Sequence, residues 1–211
     1  MKSNYHPDYE SGKIYHIYNH ASSVDNLFQE ENDCFNFLNK FYKYFGSCFD
    51  VLAYCLMPNH YHLIVKVKDK VSILNSLKNP DSKATIKLIS GEIKIDEFIR
   101  DQFRRFHSSI SLKYNLKYKR KGQLFLNRHK NVLVSSNNLI EKICYVHHNP
   151  IHHDFCNDYL DWKYSSYQTY FEGKKSKLAT HLTYIFFGNL KDFIEIHEQY
   201  KNNFPKRVEQ V

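Results

Sequence analysis

Runs of strand-forming residues and stretches of helical periodicity alternate along this chain. The segments "KIYHIYNHA" (13–21), "FDVLAYCLM" (49–57) and "HYHLIVKVK" (60–68) predict three strands, and the Pro-Asn pair between the last two predicts a β-hairpin. The segment "KNVLVS" (130–135) predicts a short fourth strand. Together these segments indicate a small antiparallel sheet.

Two long helices are predicted between these strands. The first precedes the hairpin, and Gly46 is placed to end it. The second begins near Ile95 and runs to about Tyr114. The apolar residues that recur at helical spacing are Leu27, Phe28, Phe35, Leu38, Phe41, Tyr42 and Phe45 in the first helix, and Phe98, Phe103, Phe106 and Ile110 in the second.

Two further helices are predicted after the fourth strand. One covers 135–150, where Asn138 and Glu141 have the spacing of a capping box and Pro150 is placed to stop the helix. The other is amphipathic and lies near 189–201. Both helices would have one apolar side available for packing.

The residues between the hairpin and the second long helix, 69–95, show less regular spacing. They are predicted to form a connector or an insertion. With that segment set aside, the elements follow the order β-α-β-β-α-β-α. This order predicts an α+β fold, in which an antiparallel sheet carries helices on one face.

The charge of the chain changes the range of expected partners. Lysine and arginine total 30 against 22 acidic residues, which gives a net charge of +8 and a pI near 9.1. This balance favours a polyanionic partner, nucleic acid first and an acidic membrane surface second. Five cysteines without CxxC spacing, no apolar leader and no long apolar run predict a soluble protein of the reducing cytoplasm.

Two histidines stand one residue apart in "CLMPNHYHLIV" (55–65), a run that otherwise has the composition of a buried strand. Because side chains alternate across a strand, His60 and His62 share a face with Lys66 and Lys68. We therefore expect both imidazoles on the solvent side of the sheet. At this spacing they can share one divalent ion, but a third ligand is required from elsewhere. The alternative is two histidines on a wet face without a ligand.

The predicted helix at 135–150 carries Tyr145 and Asn149 four residues apart, on the side opposite its apolar residues. A phenol on the solvent side of a helix can act as a nucleophile, and an amide oxygen can complete the shell of a hard metal ion. Tyr114 and Tyr118, at the basic end of the preceding helix, are the alternative nucleophiles. A structural role is the alternative for every one of these tyrosines.

A basic segment from 113 to 130, "KYNLKYKRKGQLFLNRHK", contains no acidic residue and interleaves aromatic residues with its cations. Lysine and arginine neutralise phosphates, and aromatic rings can stack on exposed bases. The alternative is a solvated helix end and turn. The residues predicted to contact DNA are Lys113, Lys117, Arg120, Lys121, Arg128 and Lys130, with Lys66 and Lys68 on the hairpin.

Taken together, these motifs resemble the single-tyrosine HUH transposases, and within them the REP-associated tyrosine transposase branch. The resemblance covers residues 13–171, and the combination of "MPNHYH" with the later "YVHHNP" is more specific than either motif. The stretches that carry it, in family order, are "YHIYN" (15–19), "LMPNHYHLIV" (56–65), "GQLFLNRHK" (122–130), "YVHHNP" (145–150) and "WKYSSYQTY" (162–170).

The resemblance implies an HUH endonuclease fold with a ferredoxin-like (RRM-like) sheet. It places the transposase domain at residues 1–171, with an insertion near 75–95, and leaves 172–211 as a C-terminal helical extension packed on or beside the domain. The family's first strand commonly continues into an Arg-Gly pair, where this chain has His20 and Ala21.

The resemblance also implies a site and an activity. His60, His62 and Asn149 would hold Mg²⁺ or Mn²⁺, and Tyr145, favoured here over Tyr114, would attack the DNA. The activity implied is cleavage and rejoining of single-stranded DNA near hairpins, at a repeat or transposon end, through a 5′-phosphotyrosine. The protein would act at the nucleoid, and since the family includes monomers and dimers, a homodimer stays open.

Two other functions stay open from the sequence. One is a non-catalytic or domesticated nucleic-acid-binding module on an RRM-like sheet, and the other is a replication or conjugation nickase with the same chemistry. The intact set of two histidines, tyrosine and asparagine disfavours a pure binder, because a binder has no need of all four. The single tyrosine and the small size disfavour a nickase.

Overall fold

The computed structural model describes residues 6–22, 26–77, 81–125 and 127–204. The structure contains the strands β1 (Ile14–His20), β2 (Phe49–Met57), β3 (His60–Val67) and β4 (Lys130–Val134). They form one antiparallel sheet in the order β2-β3-β1-β4, so all four predicted strands and the hairpin are confirmed.

The described residues also contain eight α-helices, among them the two predicted long helices and the predicted C-terminal helix. None of these helices is both long enough and apolar enough to cross a membrane. They are α1 (Glu31–Phe45), α2 (Lys70–Ser76), α3 (Lys83–Ile89), α4 (Ile95–Lys117), α5 (Leu139–His152), α6 (Tyr167–Glu172), α7 (Thr180–Phe187) and α8 (Leu190–Asn203).

Gly46 ends α1, as predicted. Its backbone N–H donates to the carbonyl oxygen of Tyr42. A Cβ at this position would lie 2.6 Å from that same oxygen, so the close approach requires glycine.

The α1 and α4 helices cover one face of the sheet and form the aromatic core. Phe37 of α1 packs on Tyr61 of β3 with ring centroids 4.8 Å apart, and Phe45 of α1 packs on Phe103 of α4 at 4.2 Å. The prediction that Phe35 belongs to the apolar side of α1 is wrong, because this ring is 64% exposed. The buried stripe of α1 consists of Cys34, Phe37, Phe41 and Phe45.

The opposite face of the sheet is covered by α5. The ring of Tyr145 on this helix lies 5.8 Å from the ring of His62, centroid to centroid. The predicted α+β class and antiparallel sheet are confirmed, and the expectation of helices on one face describes α1 and α4 but not α5. The position of α5 creates the cleft described below.

Both predicted ends of α5 differ from the structure. Asn138 makes no capping bond with its side chain, because it closes a 3-10 turn at Ser136–Asn138 that leads directly into the helix. Pro150 lies inside the helix, which continues to His152. The proline costs the helix one hydrogen bond, but the N–H of His153 still donates to the carbonyl of Asn149 at 3.0 Å.

The segment at 69–95 is more regular than predicted, because it contains α2 and α3. Side chains cap both helices: Asp69 accepts from the N–H of Ser72, and Ser82 accepts from the N–H of Thr85. Part of the predicted insertion, 78–80, lies outside the described residues. So do residue 126 of the basic segment and residues 205–211 of the predicted extension.

The C-terminal helices pack against α5 through a buried polar chain. His147 Nδ1 lies 2.8 Å from His197 Nε2 on α8, and His147 Nε2 lies 2.7 Å from the Ser166 hydroxyl. The Ser166 hydroxyl in turn meets the backbone of Tyr54 on β2. The division of the chain at residue 171 stays a prediction.

We expect acid to destabilise the fold through its buried imidazoles. Burial lowers the pKa of His107 and of His197 to about 3, and the pKa of His147 well below its usual value. The unfolded chain, with histidine pKa near 6.5, then binds more protons than the folded one, so stability falls as pH drops below about 6.5. Below that pH, each such histidine lowers the free energy of unfolding by about 1.4 kcal/mol for every pH unit.

Urea unfolding between pH 5 and 7 measures this effect. His197→Gln should reduce the slope of the unfolding free energy against pH by the contribution of one proton, about 1.4 kcal/mol per pH unit. An unfolding free energy that is equal at pH 5 and pH 7 would contradict the expectation.

Candidate active site

A row of histidines occupies the face of the sheet that α5 covers. The register of β1 and β3 places His20 opposite His60, and Tyr18 opposite His62. The rings of His20 and His60 stack with centroids 4.6 Å apart, and the rings of His16 and His62 stack at 5.1 Å. Alternation along two neighbouring strands therefore gathers four imidazoles into one patch.

The expectation that His60 and His62 lie on the solvent side is wrong. Both are 5% exposed. The alternation was read correctly, since both histidines lie opposite the core face of Tyr61. The burial comes from α5, which lies across this face of the sheet.

One stripe of α5 faces these histidines. Lys142, Tyr145, Asn149 and His153 follow one another at intervals of three, four and four residues, which brings them to one side of a helix. Together with the histidines of β1 and β3 they line a cleft of about 350 Å³. The expectation that this side of α5 faces solvent is therefore corrected: Asn149 is 1% exposed and Tyr145 is half-buried.

The orientation of each predicted histidine ligand is fixed by a hydrogen bond. His60 Nδ1 lies 2.7 Å from the amide oxygen of Asn59, and His62 Nδ1 lies 2.9 Å from His16 Nε2. Because an amide oxygen only accepts, Nδ1 of His60 donates and Nε2 keeps its lone pair. Nδ1 of His62 is likewise engaged, by His16, so Nε2 is the ring nitrogen that could bind a metal in both residues.

The imidazoles of His16, His60 and His62 are neutral near pH 7. Burial lowers the pKa of His60 and of His16 to about 3, and nearby imidazoles lower the His60 pKa further, while the adjacent Asn149 acts in the opposite direction. Burial also holds the pKa of His62 well below its usual value. Since only a neutral imidazole binds a metal, these rings are in the form that coordination requires.

In the side-chain amide of Asn149, the nitrogen makes a hydrogen bond and the oxygen does not. Its Nδ2 donates to the carbonyl oxygen of Tyr145 at 2.8 Å, whereas Oδ1 is buried and has no hydrogen-bond partner. An unsatisfied buried acceptor costs about 1–3 kcal/mol, so such an atom calls for an explanation. A cation bound at this oxygen would satisfy it.

The donor set fits a divalent ion. Two neutral imidazoles and one unsatisfied amide oxygen line the same cleft. Among the described residues no group of three or more His, Cys, Asp or Glu side chains could hold a metal, so the fit depends on the amide. The assignment of His60, His62 and Asn149 as ligands stays a prediction.

Tyr145 lies directly beside the predicted ligands. Its ring meets His62 edge-on at 5.8 Å and His16 edge-on at 6.0 Å. The Nζ of Lys142 lies 5.2 Å from the centre of the Tyr145 ring. The described lining residues of the cleft thus include two phenols, Tyr145 and Tyr18, a half-buried lysine and no carboxylate.

The alternative tyrosines lie elsewhere. The hydroxyl of Tyr114 donates to the carbonyl of Asn26, and the hydroxyl of Tyr118 donates to Asp33 at 2.6 Å. Tyr114 belongs to α4 and Tyr118 directly follows that helix, on the side of the sheet away from the histidine row. Neither can reach the predicted ligands in this arrangement.

Sequence reasoning missed six lining residues of the cleft, namely His16, Tyr18, His20, Val132, Lys142 and His153. The signal for His16 and His20 was present, because "HIYNH" places them on the same face of β1. Lys142 precedes Tyr145 by three residues on the same helix, which was also readable. The contribution of His153 was hidden by the expectation that α5 ends at Pro150.

The structure disperses the lysines and arginines predicted to contact DNA. Lys130 lies at the cleft, with its Nζ 5.8 Å from the ring centre of Tyr18, whereas Lys66 lies four residues beyond His62 on the same strand. Lys68 pairs with Asp50 at 3.6 Å.

The remaining predicted DNA contacts cluster around the α1 and α4 helices and the loop after α4. Lys117 forms ion pairs with Glu30 and Asp33, and Lys113 donates to Asn36 at 2.6 Å. Arg120 anchors its own loop through backbone carbonyls. Lys121 and Arg128 are exposed. Contact of any of these residues with DNA stays a prediction.

The sheet of four antiparallel strands carries a histidine pair on its inner strand β3, and a helix with a tyrosine faces that pair. This is the arrangement that the resemblance of the sequence to HUH transposases implies. No protein-family model matches the chain, and no curated protein matches its sequence.

A solved structure is similar to this chain: that of a REP-associated tyrosine transposase bound to a REP hairpin. The two chains are 14% identical, with a TM-score of 0.53, over 83% of this chain and 89% of the other. At this identity the likeness concerns the fold.

Proposed function

We propose that this protein cleaves and rejoins single-stranded DNA beside hairpins, in a metal-dependent reaction that passes through a 5′-phosphotyrosine. The observation that carries the proposal is the meeting of Tyr145, His60, His62 and the orphaned Asn149 oxygen in one cleft. The similar fold of a transposase bound to a REP hairpin supports a DNA hairpin as the substrate.

His60, His62 and Asn149 would hold the ion, which supplies positive charge beside the scissile phosphate when bound. Asn149 also links ligand and nucleophile, since its Nδ2 donates to the backbone carbonyl of Tyr145 one turn earlier. His16 positions His62 by bonding its Nδ1. The first contact lies within α5 and the second joins β1 to β3, so each one orients a proposed ligand on its own element.

The hydroxyl oxygen of Tyr145 would attack phosphorus, forming a phosphorus–oxygen bond to the tyrosine. The bond from phosphorus to the 3′-oxygen breaks, and that oxygen leaves as a 3′-hydroxyl after taking a proton, while the phenol gives up its own proton to water in the cleft. The resulting phosphodiester to tyrosine conserves the bond energy. A second 3′-hydroxyl can therefore reverse the step on another strand without a nucleotide cofactor.

Lys142 would bind the same phosphate. It is half-buried, lies 5.2 Å from the Tyr145 ring centre, and has no ion pair in the part of the chain that the structure describes. A cation so placed stabilises negative charge on the tyrosine oxygen and on the phosphate as the bond forms. This role was not expected from the sequence.

Lys142→Gln should lower the rate of cleavage about 10- to 100-fold with a smaller change in DNA affinity, because the lost charge acts mainly on the transition state. Single-turnover cleavage and equilibrium binding measure the two quantities. Lys142→Arg should restore part of the rate, and Lys66→Gln, on the same sheet face but about 13 Å from His62, should change it little. Equal rates for wild type and Lys142→Gln would remove the lysine from the mechanism.

The proposed activity is tested with a DNA hairpin that carries a single-stranded flank, incubated with the protein and Mg²⁺ or Mn²⁺. A 5′-phosphotyrosine leaves the 3′ part of the DNA on the protein. A label at the 3′ end should therefore appear in a denaturant-resistant adduct, and a label at the 5′ end should be released. Chelation of the metal should prevent both outcomes.

Two results would redirect the proposal. DNA binding without an adduct would favour the non-catalytic binding module. An adduct that retains the 5′-end label would show the opposite polarity and exclude a 5′-phosphotyrosine.

A further inference from the structure

A second cavity, of about 450 Å³, lies on the other side of the sheet. It opens between α4 and the residues that lead into β4. Planar rings and guanidinium groups dominate its lining, which consists of Arg100, Asp101, Phe103, Arg104, His107, Arg128 and His129. The proposed DNA cleavage uses none of these residues.

The inner wall of the cavity is a set of rings with polar edges. Phe103 stacks on His129 with centroids 3.8 Å apart. His107 bonds the Tyr61 hydroxyl through Nε2, and His129 bonds the Tyr9 hydroxyl through Nε2, both at 2.9 Å. The second ring nitrogen of each histidine, Nδ1, makes no hydrogen bond within the described residues. Phe103 is 1% and His129 is 7% exposed, whereas His107 is half-buried, so the ring surface that the wall offers comes mainly from His107.

Arginines supply the charge at the mouth of the cavity. Arg128 is exposed and has no ion pair in the described part of the chain. Arg104 is 70% exposed and shares Asp101 with Arg105, so one carboxylate serves two guanidiniums. Burial lowers the pKa of His107 to about 3 and that of His129 well below its usual value, which leaves the imidazoles neutral and the arginines as the cations.

We propose that this cavity binds one unstacked nucleotide of a single-stranded DNA segment, with its base against the ring wall and its phosphate on Arg104 and Arg128. Rings bind the face of any base, and guanidinium groups match phosphate oxygens in pairs. The volume lies within the usual range for sites that enclose a small organic group. The choice of DNA as the polymer rests on the proposed function.

The edge of the sheet connects this cavity to the cleft of Tyr145. β4 is an edge strand, and Lys130 at its start lies over Tyr18 in the cleft. Arg128, two residues earlier, lines the second cavity. Two residues span at most about 7 Å, so one DNA strand that crosses this edge would meet cations at both sites.

Matched substitutions on α4 test the proposal. Arg104→Gln and Arg105→Gln each remove one charge next to Asp101, but Arg105 lines a different surface, with Tyr42 and Ser47. Binding is measured by fluorescence anisotropy with labelled dT12, in protein that also carries Tyr145→Phe so that no DNA is cut. Both sites are at least 44% exposed in their side chains, and thermal unfolding checks that the folds are equal.

We expect Arg104→Gln and Arg128→Gln each to weaken dT12 binding about 5- to 10-fold and to reduce the slope of log affinity against log salt by about 0.7. Arg105→Gln should stay within about twofold of the parent protein. Equal losses for the Arg104 and Arg105 variants would show a diffuse charge effect and overturn the proposal.

A titration with dTMP separates the two sources of the ligand. We expect dT12 to bind at least about tenfold more tightly than dTMP, because the strand also contacts the sheet edge. Equal affinities would assign the cavity to a free nucleotide and overturn the DNA assignment. These binding measurements do not depend on cleavage. If the wild type formed no adduct, the proposed function would be wrong, but the binding data would still test whether the cavity binds a nucleotide.

Discussion

Tyr145→Phe should abolish the covalent protein–DNA adduct, a loss of at least about 10³-fold, while the affinity for hairpin DNA changes less than about twofold. The substitution removes one oxygen, and that oxygen is the only atom of the side chain that can form the bond to phosphorus. The ring remains, and with it the edge-on contacts to His62 and His16. The adduct is measured on denaturing gels and the affinity by anisotropy.

Two tyrosines serve as controls for this loss. Tyr18→Phe alters a hydroxyl in the same cleft, and Tyr114→Phe alters the strongest alternative nucleophile from the sequence. Both variants should form the adduct at near the wild-type level. Adduct formation by Tyr145→Phe would contradict the assignment, and its loss only in Tyr114→Phe would transfer the role to that residue.

The second large effect is expected from the histidine pair. His60→Ala and His62→Ala should each lower Mn²⁺ affinity and the cleavage rate by about 10²-fold or more, while binding of hairpin DNA persists. Each substitution removes one of only three proposed ligands and leaves the orphaned Asn149 oxygen with a weaker set of partners. Calorimetric titration with Mn²⁺ reports the site without any need for cleavage.

His20→Ala is the matched control, because His20 stacks on His60 at 4.6 Å and lines the same cleft but is not a proposed ligand. It should retain Mn²⁺ affinity to within about tenfold. If His20→Ala lost the metal and His62→Ala kept it, the ligand set would have to be drawn from β1 instead of β3.

Local pattern was enough for most of the fold. Alternation and β-forming residues located the four strands, and the helical spacing from Phe98 to Ile110 located α4, because these signals depend on neighbours a few residues apart. The errors occurred where a local rule was overridden. The helix α5 passes through Pro150, and Phe35 turns to solvent while Phe37 enters the core.

The candidate site divides in the same way. The spacing of His60 with His62, and of Tyr145 with Asn149, is local, so the sequence predicted each pair separately. No local pattern predicted that the two pairs lie close together. The resemblance to a family supplied that link, and the structure places Tyr145 against His62 at 5.8 Å.

The sequence by itself determined the four strands, the four longest helices, the two faces of β3 and the residue types capable of the chemistry. Only the tertiary structure decided that α5 lies across the histidine face, which buries His60 and His62 and brings Lys142 beside Tyr145. The physical reason is that strand register and helix docking arise from contacts between residues far apart in the chain. Periodicity shows which side of an element is apolar, but not which partner covers the other side.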